Sequence, residues 1–213
     1  TMAFTGTCIL DPDNTSGLGT GGDGPLIAAY TGWNIFSTRQ DQRIAYSNDG
    51  GLTWTRYSGN PVLDIGSNEF RDPKVFWHQP TKRWVMALSA TDHVQFWASP
   101  NLREWEFLSG FGREWGAHGG VWECPDLIEM PVAGSDEKRW VLILNLNPGG
   151  PQGGSGTQYF VGDFDGVRFT LDAAFAKSLS DEGAVWLDAG RDNYAGVTWS
   201  GIPSSDGRTL FIG

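Results

Sequence analysis

Two carboxylates stand in unusual company. Asp72 lies between Arg71 and Pro73, and Glu123 lies between Trp122 and Cys124, with Pro125 next. Cleaving a glycosidic bond takes two carboxyl groups, one to protonate the leaving oxygen and one to attack the anomeric carbon or activate water. Glu123, among aromatic and apolar neighbours, has surroundings that raise a carboxyl pKa and keep it protonated as an acid. Asp72, beside a guanidinium, is expected to stay ionised. Plainer readings stand beside these: Glu123 as a solvated charge at a strand end, Arg71–Asp72 as a structural ion pair.

The elements that must position these groups are strands. Helical periodicity is nearly absent, and short β-rich runs alternate with clusters of Gly, Pro, Asn and Asp. The runs repeat in order. One type recurs as Pro25-Leu-Ile-Ala-Ala-Tyr30, Arg83-Trp-Val-Met-Ala-Leu88, Arg139-Trp-Val-Leu-Ile-Leu144 and Arg208-Thr-Leu-Phe-Ile212. A following type recurs as Arg43–Ser47, Val94–Ser99 and Gln158–Gly162, and each leads into a tight turn that leaves at an aromatic residue: Trp54, Trp105 or Phe169. The first turn, Ser47-Asn-Asp-Gly-Gly-Leu-Thr-Trp54, matches the Asp-box pattern S-x-D-x-G-x-T-W. There Asp and Gly supply the turn, and the aromatic is expected to pin the hairpin to its sheet. A period of roughly 50–70 residues with four strands per unit predicts propeller blades. The chain holds three complete blades and half of a fourth. First strands are expected near residues 4–9, 71–77, 121–128 and 193–199. The first strand of a blade lines the central channel, and Asp72 and Glu123 fall on such strands; they are expected in one shared cleft.

Composition narrows the partner. The net charge of −10 disfavours nucleic acid and anionic membranes, and no apolar run approaches the roughly 18 residues that span a bilayer. A neutral carbohydrate is compatible with that charge. Eleven Trp fit such a ligand, because sugar rings pack on indole, although core packing is the commoner use of Trp. The two cysteines, Cys8 and Cys124, make no disulfide framework. His78, His93 and His118 lack metal-ligand spacing, so no metal site is expected. Asp11 to Gly17 reads as a surface turn and not a calcium loop. Asn14-Thr15-Ser16 is a single N-glycosylation sequon.

Arg71-Asp72-Pro73 and Glu123-Cys124-Pro125, in this order and separation, resemble the paired motifs of glycoside hydrolase family 32, the invertases, inulinases and levanases. Phe4-Thr-Gly-Thr7 resembles that family's F-S-G-S segment, with Thr5 keeping the hydroxyl of the usual Ser. Asn147-Pro-Gly-Gly150 and the stretch Gly154 to Gly166 resemble the segment after the acid strand in microbial inulinases and levanases. Asp188, Gly190, Asp192, Tyr194 and Ala195 also fall in place, whereas Ala189 stands where an aromatic is common.

The resemblance implies an all-β fold, with residues 1–213 forming part of a five-bladed β-propeller catalytic domain. It also implies β-fructofuranosidic bond hydrolysis in sucrose, inulin or levan by a retaining mechanism. Glu123 would be the general acid/base. Asp72 would hold hydroxyls of the fructosyl ring, helped by Arg71, and Phe4 and Thr5 would line the same subsite. No cofactor is implied, and an extracellular or periplasmic location is expected. The family's W-M-N-D-P-N-G segment, whose Asp is the nucleophile, does not occur in these residues; it belongs before Thr1, and a C-terminal β-sandwich belongs after Gly213. The 213 residues alone are therefore expected to be inactive. Two other readings remain open: an inverting arabinanase-type propeller enzyme and a non-catalytic glycan-binding propeller.

Overall fold

Alternation along Leu26-Ile-Ala-Ala-Tyr-Thr31 sends Ile27, Ala29 and Thr31 to one face, and all three are buried. The computed structural model describes residues 1–199, 202 and 207–213. β1 (Met2–Leu10), β2 (Leu26–Trp33), β3 (Gln40–Ser47) and β4 (Thr55–Arg56) form a sheet in that order. A second four-stranded sheet follows the same order with β5 (Arg71–His78), β6 (Arg83–Ser89), β7 (Val94–Ser99) and β8 (Glu106–Phe111). A third has β9 (Val121–Pro131), β10 (Lys138–Asn147), β11 (Gly156–Phe164) and β12 (Phe169–Leu171). Each is an up-and-down meander, the form of a propeller blade.

The chain divides into two compact units. Unit 1 comprises Thr1–Thr91 and Gln95–Gly110. Its core joins Ile27, Ala29 and Ile44 of the first sheet to Val75, Trp84, Met86 and Leu88 of the second and to Phe70, which precedes β5. Burying a side chain such as Phe70 contributes about 1.5–3 kcal/mol. Unit 2 comprises Asp92–Val94 and Phe111–Gly213, with Trp122, Leu127, Leu142, Leu144, Phe160, Phe169 and Leu179 buried.

Three features differ from the sequence reading. First, a helix, α1 (Ala173–Glu182), follows the third sheet. Asp172 caps it by accepting from the N–H groups of Ala174 (2.8 Å) and Phe175 (3.1 Å), and Gly183 ends it at φ 79°. Second, among the described residues, the ladder of 193–199 is confined to β13 (Val197–Thr198), paired with β14 (Phe211–Ile212), with one further backbone bond from the Trp199 N–H to the Leu210 carbonyl. The cause lies in the buried Asn145: its side chain accepts from the Gly196 N–H (3.3 Å) and donates to the Gly196 carbonyl (3.4 Å). Side-chain bonds there take the place of a ladder. Third, Trp54 stays exposed, and its indole N–H closes its own turn on the Gly51 carbonyl (3.0 Å). The equivalent aromatics do pin their hairpins: Trp105 packs on the unit 1 core, and Phe169 is buried.

The Asp-box turn itself is a network around one carboxylate. Asp49 accepts from the Ser47 hydroxyl (2.7 Å), the Thr53 N–H (2.9 Å) and the Thr53 hydroxyl (2.6 Å). These bonds, with the Thr53 hydroxyl first, pull the Asp49 pKa down to about 2. The folded value lies below the unfolded one, so the stabilisation is complete above the unfolded value of about 4 and disappears as pH falls through the folded value. Asp49→Asn is therefore expected to lower Tm at pH 7. Its gap to the parent should narrow between about pH 4 and pH 2 in thermal melts; a gap that stays constant through that window contradicts the assignment.

Candidate active site

A proline cannot donate to a strand ladder, so Pro73 and Pro125 force irregularities where they stand. In β5 the register slips between Arg71 and Lys74, which sets Asp72 and Pro73 against Leu88. In β9 it slips between Glu123 and Asp126, which sets Cys124 and Pro125 against Leu144. In β1 it slips between Ala3 and Gly6, which sets Phe4 and Thr5 against Thr31. Gly6 is required there, because a Cβ would come within 2.0 Å of the Ala29 carbonyl oxygen. Asp72 (φ 62°) and Cys124 (φ 45°) take up the left-handed backbone region, at a cost of about 1–3 kcal/mol each. Bulges of this kind re-aim side chains and recur beside active sites.

In unit 1, β1 and β5 run close together, and the Thr7 hydroxyl donates to the Pro73 carbonyl. Phe4 and Thr5 sit at the bulge of β1, and Arg71 and Asp72 open β5. Phe4 stacks on Trp33, with ring centroids 5.5 Å apart and planes 24° from parallel. That arrangement leaves a partly exposed aromatic surface of the kind that takes the apolar face of a sugar. Arg71 is held by Glu69 and by the side-chain oxygen of Gln40 (3.2 Å). Asp72 is buried, and its backbone N–H donates to the Thr31 hydroxyl (3.0 Å).

The inner face of the first sheet explains these contacts. Ladder pairing puts Ala29 opposite Ile44, Thr31 opposite Gln42 and Trp33 opposite Gln40. One face thus begins apolar and turns polar along its length. Its polar end, formed by buried Thr31, Gln42 and Gln40, meets Phe70, Arg71 and Asp72.

In unit 2, Glu123 is partly buried and pairs with Asn145 across the ladder. Its neighbour Trp122 is fully buried, donates its indole N–H to the Ala117 carbonyl (2.8 Å) and stacks on His118 at 5.0 Å. The Cys124 carbonyl accepts from the Asn145 amide (3.3 Å), and the Thr157 hydroxyl donates to the Asn145 oxygen (2.7 Å). Buried Asp126 accepts from the N–H (2.6 Å) and hydroxyl (2.7 Å) of Thr198, which ties β9 to β13. Both cysteines are free, Cys124 buried and Cys8 exposed.

Unit 1 therefore brings four residues singled out by sequence, Phe4, Thr5, Arg71 and Asp72, onto neighbouring strands, and Glu123 stands on the first strand of the sheet in unit 2. The residues that hold them escaped the sequence reading: Trp33, Thr31, Gln40 and Gln42 in unit 1, Asn145 and Thr157 in unit 2. A signal existed in Gln40-Asp-Gln42, where alternate polar residues occupy positions continuous with the inward face of Ile44. Among the described residues, no group of three or more His, Cys, Asp and Glu could hold a metal ion.

The chain is similar to known proteins over nearly its whole length. The chain is 50% identical over 212 residues to a levanase of Bacillus subtilis (strain 168), which covers 99% of the chain and 30% of the relative. It is 41% identical over 228 residues to an extracellular exo-inulinase of Aspergillus awamori, covering 96% of the chain and 42% of the relative. The crystal structure of exo-inulinase from that organism superposes with a TM-score of 0.84 at 41% identity, over 95% of this chain and 43% of the other. A fructofuranosidase from Schwanniomyces occidentalis, complexed with fructose, gives 0.83 at 41% identity, over 94% and 38%. The chain thus spans less than half the length of these relatives. Among the described residues, its three four-stranded sheets have the form of propeller blades, and β13 and β14 form a further two-stranded sheet. The model for the N-terminal domain of glycosyl hydrolases family 32 matches residues 1–213 from end to end, and with the two bulged carboxylate motifs in their expected order the chain belongs to that family.

Proposed function

We propose that the full-length protein carrying these residues is a retaining β-fructosidase acting on sucrose, inulin or levan. The observation that carries this reading is the repeated bulge: Asp72 lies within one, and Glu123 opens another, each on the first strand of its sheet. Glu123 serves as the general acid/base, and Asp72 engages hydroxyls of the fructosyl ring with Arg71 beside it. Phe4, backed by Trp33, offers the aromatic wall of the same subsite, and Thr5 adds a hydroxyl. The stacked, partly exposed Phe4 and the names of the relatives, levanase and exo-inulinase, support a fructan or sucrose substrate.

In the first half-reaction the carboxyl proton of Glu123 passes to the glycosidic oxygen. The bond from that oxygen to the anomeric carbon breaks while a carboxylate attacks the opposite face, giving a fructosyl-enzyme. In the second half, Glu123 takes a proton from water, the water oxygen bonds to the anomeric carbon and the carboxylate departs. The attacking carboxylate is proposed to be the Asp of a W-M-N-D-P-N-G segment outside residues 1–213, because retention places the two carboxyl groups about 5–5.5 Å apart and Asp72 is committed to ring hydroxyls. These residues are accordingly part of a catalytic propeller that is completed by further chain. An extracellular or periplasmic location goes with this reading, as the relative from Aspergillus awamori is described as extracellular.

The test compares the two forms of the protein on sucrose, inulin and levan. The full-length protein is expected to release fructose, and the 213 residues expressed alone are expected to release essentially none. Robust turnover by residues 1–213 overturns the assignment of the nucleophile. Absence of fructose release by the full-length protein overturns the function.

A further inference from the structure

A residue in the left-handed region within a bulge has lost the ladder partner of its N–H. For Asp72 that N–H donates to the Thr31 hydroxyl (3.0 Å), a group on β2 of the adjoining sheet in unit 1. The Thr31 hydroxyl has one proton and donates it to the side-chain oxygen of Gln42 (2.8 Å). The Gln42 amide then donates to the Phe70 carbonyl (2.8 Å). The chain of bonds has only one consistent direction: Asp72 N–H to Thr31, Thr31 to Gln42, Gln42 to Phe70. It clasps the backbone on both sides of Arg71. Gln40 adds a second clasp, with its side-chain oxygen accepting from the Phe70 N–H (2.8 Å) and from Arg71.

Thr31 and Gln42 are fully buried. The Gln42 backbone is itself fixed, its N–H donating to the Leu63 carbonyl at 2.7 Å. A glutamine held by the sheet at its backbone, whose side-chain oxygen takes the Thr31 proton and whose amide donates to the Phe70 carbonyl, does more than fill a core. An apolar pair there would take these partners from the Asp72 N–H and the Phe70 carbonyl. What the polar pair adds is direction: it fixes the left-handed turn that sets where the Asp72 carboxylate points.

We propose that Thr31 and Gln42 are positioning residues for Asp72, acting on the reaction through the backbone of residues 70–72 and not by touching substrate. The proposal rests on the reading of Asp72 as the group that holds the fructosyl ring. Misplacement of a binding group by about 1 Å can cost on the order of 10²-fold in rate. Such a loss falls on kcat/KM and on kcat together, because ring hydroxyls are held more tightly in the transition state.

The test is a double-mutant cycle in the full-length protein. Thr31→Val keeps shape and removes both hydrogen bonds; it is expected to lower kcat/KM on sucrose and on an aryl fructoside by about 10–10²-fold at temperatures well below its Tm, with Thr31→Ser restoring most of the activity. In an Asp72→Ala background, Thr31→Val is expected to lower Tm again but to leave residual turnover of an aryl fructoside unchanged, because the carboxylate it positions is gone. If Thr31→Val does not give soluble protein, Thr31→Cys, a weak hydrogen-bonding group of similar size, replaces it in the same cycle. Equal activity losses in the two backgrounds, or a Thr31 variant that loses stability and no activity, overturn the positioning role. If Asp72→Ala itself retains full activity, the reading of Asp72 fails, and that outcome is visible separately in the same data.

Discussion

Glu123→Gln in the full-length protein is expected to lower kcat/KM on sucrose by on the order of 10²–10⁴-fold, the usual contribution of a general acid. The size of the loss should depend on the leaving group. The glucose half of sucrose departs as an alkoxide unless its oxygen is protonated, so the full penalty applies. An activated aryl fructoside leaves as a stabilised phenolate, and its first half-reaction should be almost unaffected. The fructosyl-enzyme then accumulates, because the same residue has been lost as the base for water, and a burst of phenol should precede slow turnover. The fall of kcat/KM at high pH, which reports deprotonation of the acid, should vanish in the variant. Equal losses on both substrates, with the high-pH limb retained, remove Glu123 from the acid/base role.

Asp72→Ala produces a different pattern. A carboxylate that grips ring hydroxyls acts on the fructosyl unit common to every substrate, so its removal should cost good and poor leaving groups alike. The expected loss is on the order of 10²–10³-fold in kcat, comparable to removing one preorganised group from a transition-state site. No leaving-group dependence and no burst are expected. Asp72 sits at φ 62°, a backbone region that Asp tolerates better than Ala, so the substitution is expected to lower Tm as well. Thermal melts would separate lost chemistry from lost folding. A loss that falls on sucrose and spares aryl fructosides would instead give Asp72 a part in leaving-group departure.

The two patterns also locate what a sequence can and cannot disclose. Strand identity was legible because alternation and turn chemistry act locally. Leu26–Trp33, Arg83–Ser89 and Lys138–Asn147 pair where the repeated apolar runs lie. The Ser47–Trp54 turn uses Asp49 and its glycines as the motif demands. The prolines after Asp72 and Cys124 stand at the interruptions of β5 and β9, a signal that the sequence reading did not use, although neither can donate to a ladder. Helix α1 was missed: its signals are the Asp172 cap, the alanines and the Gly183 stop, and its ten residues are few against a repeated β pattern.

What holds the site was not legible, for a physical reason. Thr31 and Asp72 are 41 residues apart, and Asn145 and Gly196 are 51 apart. A threonine hydroxyl or an amide carries no local mark of a partner so distant. The same distance effect shortened the strand expected over residues 193–199, where the side chain of Asn145 claims the backbone of Gly196.

One measurement bears most directly on the central claim, that Glu123 is the acid/base of a retaining fructosidase. Glu123→Gln in the full-length protein is given an activated aryl fructoside and increasing sodium azide, and the product is identified by NMR. Azide needs no base to attack, so it should intercept the fructosyl-enzyme, raise turnover with its concentration and yield fructosyl azide with the β configuration of the substrate. A rate indifferent to azide, or an azide product of inverted configuration, would contradict the account.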